Sequence, residues 1–329
     1  MSHDPRISVV IPTHDREESL ERTLRALAAQ TLPQSDYEVI VSMDGSPVDA
    51  RRRLERCQVP YHVRALWQPK RGRAAACNAG ARAARGSLLV FLDDDMEPVP
   101  GFLSAHLASH AEGTRRGVVG AAPIVLNEHS SPVAHYRQSS FHNKLERMRM
   151  GRRDGLPYWD VYMGNFSLHR EAFLEAGGFD ESFTLHGRED YELALRLQGV
   201  GIDLCYDPDA LAHQHYEKDF TAMARDIFAG GKSTMLLFEK HPEIRYDQRL
   251  GTFEGYPRQA RYMVRLLLAA SRHWKGLPAL VVRGVAWAER HPLGDLFKVF
   301  DTALLFVYCL GVEDTTAPGR FGTPFPTAS

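Results

Sequence analysis

The sequence predicts an α/β fold: a mostly parallel central sheet flanked by helices, with a helical C-terminal appendage. Three observations indicate this class. Strand and helix patterns alternate from the N-terminus, and residues 221–312 have a helical pattern almost throughout. The uninterrupted apolar run Leu88–Leu92 is bounded by turn residues, as a buried parallel strand is. Strands that alternate with helices form a parallel sheet through right-handed crossovers.

Local patterns assign each element of the first third. Residues 7–11 are continuously apolar, which predicts a buried strand. Residues 17–29 carry leucines at helical spacing, and residues 38–43 form a second apolar strand that ends at Asp44. Residues 73–85 are rich in alanine, which predicts a helix that leads into the next strand.

The middle of the chain is less regular. We expect a helix at 102–112, strands at 118–122 and 202–206, and a helix that begins at Glu189. Residues 127–157 are polar and basic with weak periodicity. They predict a long loop, and loops of this length often form a lid over a site or bind the substrate.

The patterns divide the chain into two predicted domains, at 1–218 and 219–329. The longest uncharged apolar stretch, at 302–312, is shorter than the roughly 20 residues that a membrane-spanning helix needs. The N-terminus is short and polar and lacks a signal-peptide pattern. We therefore expect a cytoplasmic protein without a transmembrane segment.

Composition excludes several classes of protein. The 329 residues are 44% hydrophobic and 25% charged, with a formal net charge of -1, which is ordinary for a globular chain and gives no sign of a nucleic-acid partner. The four cysteines are scattered without a CxxC spacing, which argues against a disulfide framework and a structural zinc site. A reducing compartment fits this cysteine usage.

Asp93, Asp94 and Asp95 directly follow the predicted strand Leu88–Leu92. Ligands of open α/β sheets bind beyond the carboxyl ends of such strands. Three adjacent carboxylates repel one another, so they indicate a nearby cation, and Mg²⁺ or Mn²⁺ on a phosphorylated substrate would satisfy them. A solvated acidic turn or a helix N-cap would also explain the triplet.

Five short motifs occur in order between residues 7 and 216. They are residues 10–16 with Leu20, Asp44-Gly45-Ser46, Arg71-Gly72 with Asn78-Ala79-Gly80, Leu92 with the acidic triplet, and Gly177-Gly178-Phe179-Asp180 before Glu189-Asp190. Together they resemble the motifs of glycosyltransferase family 2, whose members have the Rossmann-like GT-A fold. The resemblance implies a nucleotide-sugar donor, UDP-sugar above all, bound by the half at about 1–100, with the acceptor bound by the half at about 101–218.

The resemblance also assigns the donor side of the site. The acidic triplet is similar to the family's DxD element, whose last acid meets a divalent metal, Mn²⁺ or Mg²⁺, which points to Asp95. The residues that it assigns to the donor are Pro12, Thr13, His14, Asp44, Arg71, Asn78, Asp93 and Asp94. Simpler roles stay open for three of these: a turn former at Asp44, a surface cation at Arg71 and helix packing at Asn78.

Glu189 and Asp190 lie in the first turn of a predicted helix, where the helix dipole favours negative charge. Ordinary helix-start acidity would also explain them. The resemblance points to Asp190 as the base that takes the acceptor proton, with inversion at the sugar. It places Trp159, Gly164, Asn165 and Glu189 on the acceptor side.

His213-Gln214-His215 follows the predicted strand at 202–206. In an extended chain its two imidazoles project to one face, and either would serve as a metal ligand. Hydrogen-bonded structural histidines are the alternative. Some relatives use a histidine here, and we expect His213 to ligate the metal.

The C-terminal region interleaves apolar residues with arginines, at positions 258, 261, 265 and 272. A basic amphipathic helix of this kind can lie on an anionic membrane, which would make the protein peripheral to the inner face of the membrane. Packing against the catalytic domain or against a second subunit in a homodimer also explains the pattern. The sequence leaves these alternatives open.

The sequence thus predicts a metal-dependent, inverting glycosyltransferase that acts on a carbohydrate, lipid-linked or small-molecule acceptor. The products would be polysaccharides, glycolipids or small-molecule glycosides. A sugar-nucleotide nucleotidyltransferase is an alternative, but its glycine- and basic-rich first loop is absent after Ile11. A non-catalytic nucleotide- or carbohydrate-binding module is the third hypothesis, and the presence of Asp190 argues against it.

Overall fold

The computed structural model describes residues 4–46, 59–110, 114–151, 154–245, 257–291, 294–321 and 324–325. Contacts between Cα atoms divide the chain into two compact units. The first contains Met1–Val125, Ser140–Thr184 and Glu189–Tyr216. The second contains Leu126–Ser139, Leu185–Arg188 and Glu217–Ser329.

The described residues of the first unit form ten strands. They are β1 (Ile7–Thr13), β2 (Tyr37–Asp44), β3 (His62–Gln68), β4 (Leu88–Leu92), β5 (Met96–Pro98), β6 (Arg116–Gly120), β7 (Ile124–Val125), β8 (Asn165–His169), β9 (Asp203–Asp207) and β10 (Ala212–His215). Seven form a central sheet in the order β3-β2-β1-β4-β8-β6-β9, and three form a small sheet in the order β5-β10-β7. In the central sheet only β8 runs antiparallel to its neighbours. The predicted α/β class with a mostly parallel sheet is confirmed.

Burial explains which strands the sequence reveals. Every residue of β1, β2 and β4 is buried, so these strands are continuous apolar runs broken by few polar residues. Strand β3 was not predicted. It lies at the edge of the sheet, and its residues are partly or fully exposed, so its sequence alternates without a clear apolar run.

The helices of the described residues are α1 (Glu17–Ala28), α2 (Arg73–Ala83), α3 (Phe102–Ser109), α4 (Pro132–Met150), α5 (Arg170–Glu175), α6 (Glu189–Gly199), α7 (Phe220–Lys240), α8 (Arg258–His273), α9 (Leu277–Arg290) and α10 (Phe297–Thr316). Helix α4 occupies most of the segment that was predicted as a long loop, so that prediction is wrong. Phe141, Leu145 and Met148 are buried at spacings of four and three residues. The polar and basic residues between them hide this period in the sequence.

The second unit is helical where it is described. Helices α8 and α10 share a buried apolar cluster, formed by Val264, Leu305, Phe306, Cys309, Leu310 and Phe321. The buried carboxylate of Glu289 in α9 accepts hydrogen bonds from the backbone N–H groups of Val133 (3.3 Å) and Phe220 (2.9 Å) at the starts of α4 and α7. None of the helices in the described ranges combines the length and the hydropathy that a membrane crossing requires.

Candidate active site

The acidic triplet forms the turn between β4 and β5, which we call the acidic turn (Asp93–Asp95). The backbone N–H of Met96 donates to the carbonyl of Asp93 at 3.2 Å and closes the turn. The hydroxyl of Thr23 in α1 lies 3.0 Å from the carbonyl oxygen of Asp94 and 2.6 Å from that of Met96. Buried strand β4 and helix α1 therefore fix the turn at the carboxyl edge of the sheet.

Arg16 and Thr13, just after and at the end of β1, face the acidic turn. Arg16 Nη1 lies 2.8 Å from Asp94 Oδ1 and 3.3 Å from Asp95 Oδ2. The Thr13 hydroxyl donates to Asp94 Oδ2 at 2.7 Å. Burial raises the pKa of Asp94 to about 7, and the Arg16 cation opposes this shift. Arg16 thus balances the negative charge of Asp94 and Asp95, two of the three carboxylates.

Arg73, in the first turn of α2, joins the acidic turn to Asp190. Its Nη2 atom lies 2.9 Å from Asp93 Oδ1, and its Nη1 atom lies 3.1 Å from Asp190 Oδ1. Burial lowers the pKa of Arg73, but the surrounding carboxylates, Asp93 foremost, raise it by more. The side chain therefore stays a cation. Residues 97 positions apart in sequence, Asp93 and Asp190, therefore share one guanidinium.

The segment before β8 fixes the same two acids. The backbone N–H of Met163 donates to Asp190 Oδ2 at 3.1 Å, and the carbonyl of Gly164 accepts from the backbone N–H of Asp93 at 2.9 Å. A Cβ atom on Gly164 would overlap the Asp93 carboxylate. Gly164, which was predicted on the acceptor side, is therefore a point of close approach, where a larger residue would require the Asp93 carboxylate to shift.

Glu189 lies beside Asp190 but is almost fully buried, with 3% of its surface exposed. Its Oε1 atom is 3.9 Å from Arg73 Nη1. Its Oε2 atom is buried without a hydrogen-bond partner among the described residues. Burial, reinforced by the charge of Asp190, raises the pKa of Glu189 to about 7.

Asp44, at the end of β2, holds the loop that follows β3. Its carboxylate accepts hydrogen bonds from the backbone N–H groups of Arg71 (2.7 Å) and Gly72 (2.8 Å) and from Gln68 Nε2 (2.8 Å). Gly72 has a φ of 96°, a left-handed conformation that favours glycine. Asp44 is thus a loop organiser in this structure, and its contact with a nucleotide base stays a prediction.

The other residues predicted on the donor side differ in exposure. Pro12 is buried in β1, opposite Ser42 of β2. His14 Nε2 lies 3.1 Å from Lys70 Nζ at a partly exposed position. The Arg71 guanidinium is mostly exposed and pairs with Glu181 at 2.7 Å. Arg71 and His14 are accessible to a ligand, whereas Pro12 shapes the strand end.

Asn78 is held by a turn of the protein itself. Its side-chain amide donates to the Phe179 carbonyl and accepts from the Phe179 backbone N–H, both at 2.9 Å. The side chain is 5% exposed. These contacts support the packing role for Asn78, and its assignment to the donor stays a prediction.

Asn165 is likewise structural. It has no exposed surface, and its amide donates to the carbonyls of Ala121 and Ala210 at 2.9 Å each. His106 Nε2 lies 2.8 Å from its Oδ1 atom. These contacts give Asn165 a structural role, and its place on the acceptor side stays a prediction. Trp159 is partly buried in a 3₁₀ turn, with its ring against Tyr158, and its acceptor contact stays a prediction.

Strand β10 brings the His213-Gln214-His215 segment to the acidic turn. The side chain next to Asp95 is Gln214, whose Nε2 atom lies 3.4 Å from Asp95 Oδ2. His213 and His215 alternate to the other face of the strand, where His215 meets Glu97 at 2.6 Å. In these contacts Gln214 is the neighbour of Asp95, and ligation of a metal by His213 stays a prediction.

The donor set of the acidic turn fits a hard divalent cation. Mg²⁺, Mn²⁺ and Ca²⁺ prefer carboxylate oxygens, and the turn already holds a cation, the Arg16 guanidinium. Among the described residues, three potential ligand atoms within 4.8 Å of one another occur at Asp154, Asp203 and Cys205, and not at this turn. Burial raises the pKa of the Cys205 thiol, so that group does not favour a metal thiolate.

Sequence reasoning missed the roles of Arg16 and Arg73. Both stand close to motifs that were recognised, but neither was given a function. Three consecutive carboxylates at a buried strand end require compensating charge. A search for cations just after the neighbouring strand β1 would have found Arg16. Arg73 follows the edge strand β3, which the sequence did not reveal, so no comparable signal pointed to it.

A family comparison agrees with this arrangement. The model described as glycosyl transferase family 2 matches residues 8–177, which is more than half of the chain. A second model, described as the N-terminal domain of galactosyltransferase, matches residues 149–218. The chain belongs to glycosyl transferase family 2, and the predicted family is confirmed.

Curated relatives include two bacterial enzymes. Validoxylamine A glucosyltransferase of Streptomyces hygroscopicus subsp. limoneus is 33% identical over 226 residues, covering 62% of this chain and 50% of the relative. Pre-mycofactocin glycosyltransferase of Mycobacterium tuberculosis is 32% identical over 246 residues, covering 72% of this chain and 48% of the relative. The match thus spans about half the length of these relatives.

Solved structures support the GT-A fold. The mannosyltransferase PcManGT of Pyrobaculum calidifontis, in complex with GDP-Man and Mn²⁺, superposes with a TM-score of 0.64 at 19% identity, covering 96% of this chain and 88% of that one. TarS 1-349 of S. aureus, in complex with UDP, has a TM-score of 0.51 at 13% identity, covering 94% and 91%. At these identities the likeness concerns the fold.

Proposed function

We propose that this chain is an inverting glycosyltransferase that moves a sugar from a nucleotide-sugar donor, a UDP-sugar by preference, to an acceptor hydroxyl. One observation carries the proposal: Arg73 lies 2.9 Å from Asp93 and 3.1 Å from Asp190, so the acidic turn and the base candidate border one site. Family membership supports the reaction class. The GDP-Man, Mn²⁺ and UDP bound by the structural neighbours support the donor class and the cofactor.

The acidic turn would hold the divalent ion, Mn²⁺ or Mg²⁺, chiefly through Asp95. When bound, such an ion neutralises charge on a leaving diphosphate. Arg16 supplies positive charge to the same turn and keeps Asp94 and Asp95 oriented. Thr13 holds the second oxygen of Asp94 by its hydrogen bond.

Asp190 would accept the proton of the acceptor hydroxyl. A carboxylate is too weak a base to ionise an alcohol beforehand, so proton transfer accompanies attack on the anomeric carbon. Arg73 and the Met163 N–H each bind one oxygen of Asp190 and fix its direction. Attack from the Asp190 side, opposite the leaving diphosphate, inverts the anomeric carbon.

The acceptor would be a hydroxyl of a carbohydrate, a lipid-linked sugar or a small molecule. The Trp159 ring is the aromatic surface that we assign to it, because sugars stack on aromatic faces. Cys77, Cys205 and Cys309 are free and buried, which supports work in a reducing, cytoplasmic compartment.

A thermal-shift panel of UDP, GDP, TDP and CDP, each with Mn²⁺ or with a chelator, tests the donor class. A ligand at 100 times its Kd stabilises the native state by about 2.7 kcal/mol. We expect the largest rise in Tm with UDP plus Mn²⁺. Equal shifts in chelator would exclude a role for the metal in donor binding. The absence of any shift would exclude the proposed donor site.

Product analysis separates the alternatives. Incubation with a UDP-sugar and a hydroxyl acceptor should release UDP and form a glycoside. Release of pyrophosphate from a nucleoside triphosphate and a sugar 1-phosphate would instead indicate a nucleotidyltransferase. Binding without turnover of any UDP-sugar, by transfer or hydrolysis, would indicate a binding module.

A further inference from the structure

Helices α8 and α9 and the turn between them are strongly basic. Residues 257–291 contain seven Lys and Arg residues and one acidic residue, Glu289. Glu289 is 6% exposed, and its carboxylate is directed at the backbone N–H groups of Val133 and Phe220. The solvent side of this segment is therefore cationic without an acidic residue of its own.

Helix α8 has apolar residues on two of its sides. Ala260, Val264 and Ser271 face the interior of the second unit. Tyr262 and Leu266, four residues apart, are 65% and 46% exposed and form an outward stripe. Arginines at 258, 265 and 272, spaced by seven residues, form a basic stripe on the exposed side of the same helix.

Helix α9 repeats this arrangement. Its interior side carries Val282, Val285 and Glu289. Leu280 and Trp287, seven residues apart, are 53% and 56% exposed. Arg283 and Arg290, also seven apart, are exposed and form a neighbouring stripe. Trp274, in the turn between α8 and α9, is 56% exposed and is followed by the exposed Lys275.

We propose that the outward stripes of α8 and α9, which we call the basic apolar face, dock on the surface of an anionic lipid bilayer. Apolar side chains of such helices enter the boundary between headgroups and acyl chains, while arginines remain at the headgroup phosphates. Tryptophan is favoured at this interface. The large apolar side chains of the face suit the acyl-chain boundary of a lipid surface, and its cations suit the headgroup phosphates.

Charge argues against a second copy of the chain as the occupant. A symmetric dimer interface places the same patch against itself, so the five arginines of the face would meet five arginines. An anionic bilayer attracts each Lys or Arg near its surface by about 1 kcal/mol. Docking on a bilayer is a function in addition to glycosyl transfer, and it would bring the chain to the membrane that contains lipid-linked acceptors.

Vesicle flotation of the full chain tests the proposal. We expect binding to phosphatidylcholine vesicles that contain phosphatidylglycerol, weak binding to phosphatidylcholine alone, and release by added salt. Arg258→Gln with Arg283→Gln should weaken binding about fivefold for each lost charge. Leu280→Ala with Trp287→Ala should weaken it about tenfold by loss of inserted apolar surface.

The matched control is Arg25→Gln with Arg115→Gln, which removes two exposed arginines from the first unit and should leave vesicle binding unchanged. All the changed side chains are exposed, and an unaltered Tm verifies folding. Equal loss of binding in control and test variants, or no binding of the unmodified chain to anionic vesicles, would overturn the proposal. A switch from dimer to monomer in Leu280→Ala with Trp287→Ala, with vesicle binding unchanged, would assign the face to a second copy. The nucleotide thermal shift reports separately on the donor site, so the two proposals fail independently.

Discussion

The acidic turn and the basic apolar face use arginine in opposite ways. Arg16 and Arg73 are each placed between two carboxylates, and their side chains are only 33% and 21% exposed. In residues 257–291, which contain α8 and α9, seven Lys and Arg residues occur with one buried acid, Glu289. Arginine that is compensated within the fold fixes the geometry of a site, whereas arginine directed outward forms a surface for an anionic partner.

Ionic strength should separate the two regions. Screening acts strongly on exposed charges and weakly on buried pairs. Added salt should therefore release the chain from vesicles and leave the nucleotide thermal shift nearly unchanged. An equal response of vesicle binding and of the nucleotide thermal shift to added salt would contradict this difference between the two regions. Variants of the site residues test the compensated arginines and their carboxylates directly.

The largest effect should follow from Asp190→Asn. An amide cannot take the acceptor proton, and loss of a general base lowers the transfer rate by about 10²–10⁴-fold. The two side chains have nearly the same shape, so UDP and Mn²⁺ should still raise the Tm. Single-turnover transfer measures the change. Normal transfer with unchanged donor binding would assign the base elsewhere.

Gly164→Ala should affect both sides of the site. The new methyl group overlaps the Asp93 carboxylate, so Asp93 must move away from Arg73. Misplacement of about 1 Å in a site costs about 10²-fold in rate. Gly101→Ala is the control, because its Cβ meets nothing within 4 Å and its φ of -85° suits alanine. Equal kinetics of both variants would mean that Asp93 does not need its position.

Arg73→Lys should cost about tenfold in transfer, since lysine keeps the charge but lacks the two-sided guanidinium that spans Asp93 and Asp190. Arg71→Lys is the matched control. Its guanidinium is exposed and pairs with Glu181, so we expect less than a twofold effect, about the level of a surface ion pair. If Arg71→Lys were the more harmful change, the donor role that the sequence predicts for Arg71 would be correct.

Glu189 should make stability depend on pH. Its pKa is raised from 4.5 to about 7 in the folded chain. The native state therefore binds more protons, and this contribution to stability is present below the unfolded pKa and is lost as pH rises through the folded pKa. Each pKa unit corresponds to about 1.4 kcal/mol.

Denaturant unfolding measures this effect across the same pH window. Glu189→Gln should reduce the decline in the free energy of unfolding to the share that Asp94 contributes, because the pKa of Asp94 is also raised to about 7. Glu18→Gln, at an exposed position of α1, should leave the decline as it is. Parallel curves for Glu189→Gln and the unmodified chain would place the titrating group elsewhere.

The sequence predicted the fold where burial dominates. Strands buried on both faces are continuous apolar runs, and β1, β2 and β4 were found for that reason. Strands β3 and β8 and helix α4 were not found. Exposed positions in β3 and polar residues between the buried positions of α4 weaken the period, and in the buried strand β8 Asn165, Ser167 and His169 alternate with two apolar residues. Sequence pattern therefore reveals an element where its buried residues are apolar.

The candidate site was predictable in part. The resemblance to glycosyltransferase family 2 was enough to expect the acidic turn and Asp190 in one site. The pairing of Arg73 with both acids depends on the packing of α2 and α6, which short-range pattern does not encode. The same holds for the contact of Gln214 with Asp95 and for the burial of Asn165 by His106 and two carbonyls.

The most direct test of the shared site is a crystal structure with Mn²⁺ and a non-hydrolysable UDP-sugar, recorded at a wavelength that gives anomalous signal from manganese. We expect a manganese peak beside Asp95, with the sugar ring between the diphosphate and the Asp190 carboxylate. A manganese peak away from the acidic turn, or a sugar whose anomeric carbon faces away from Asp190, would contradict it.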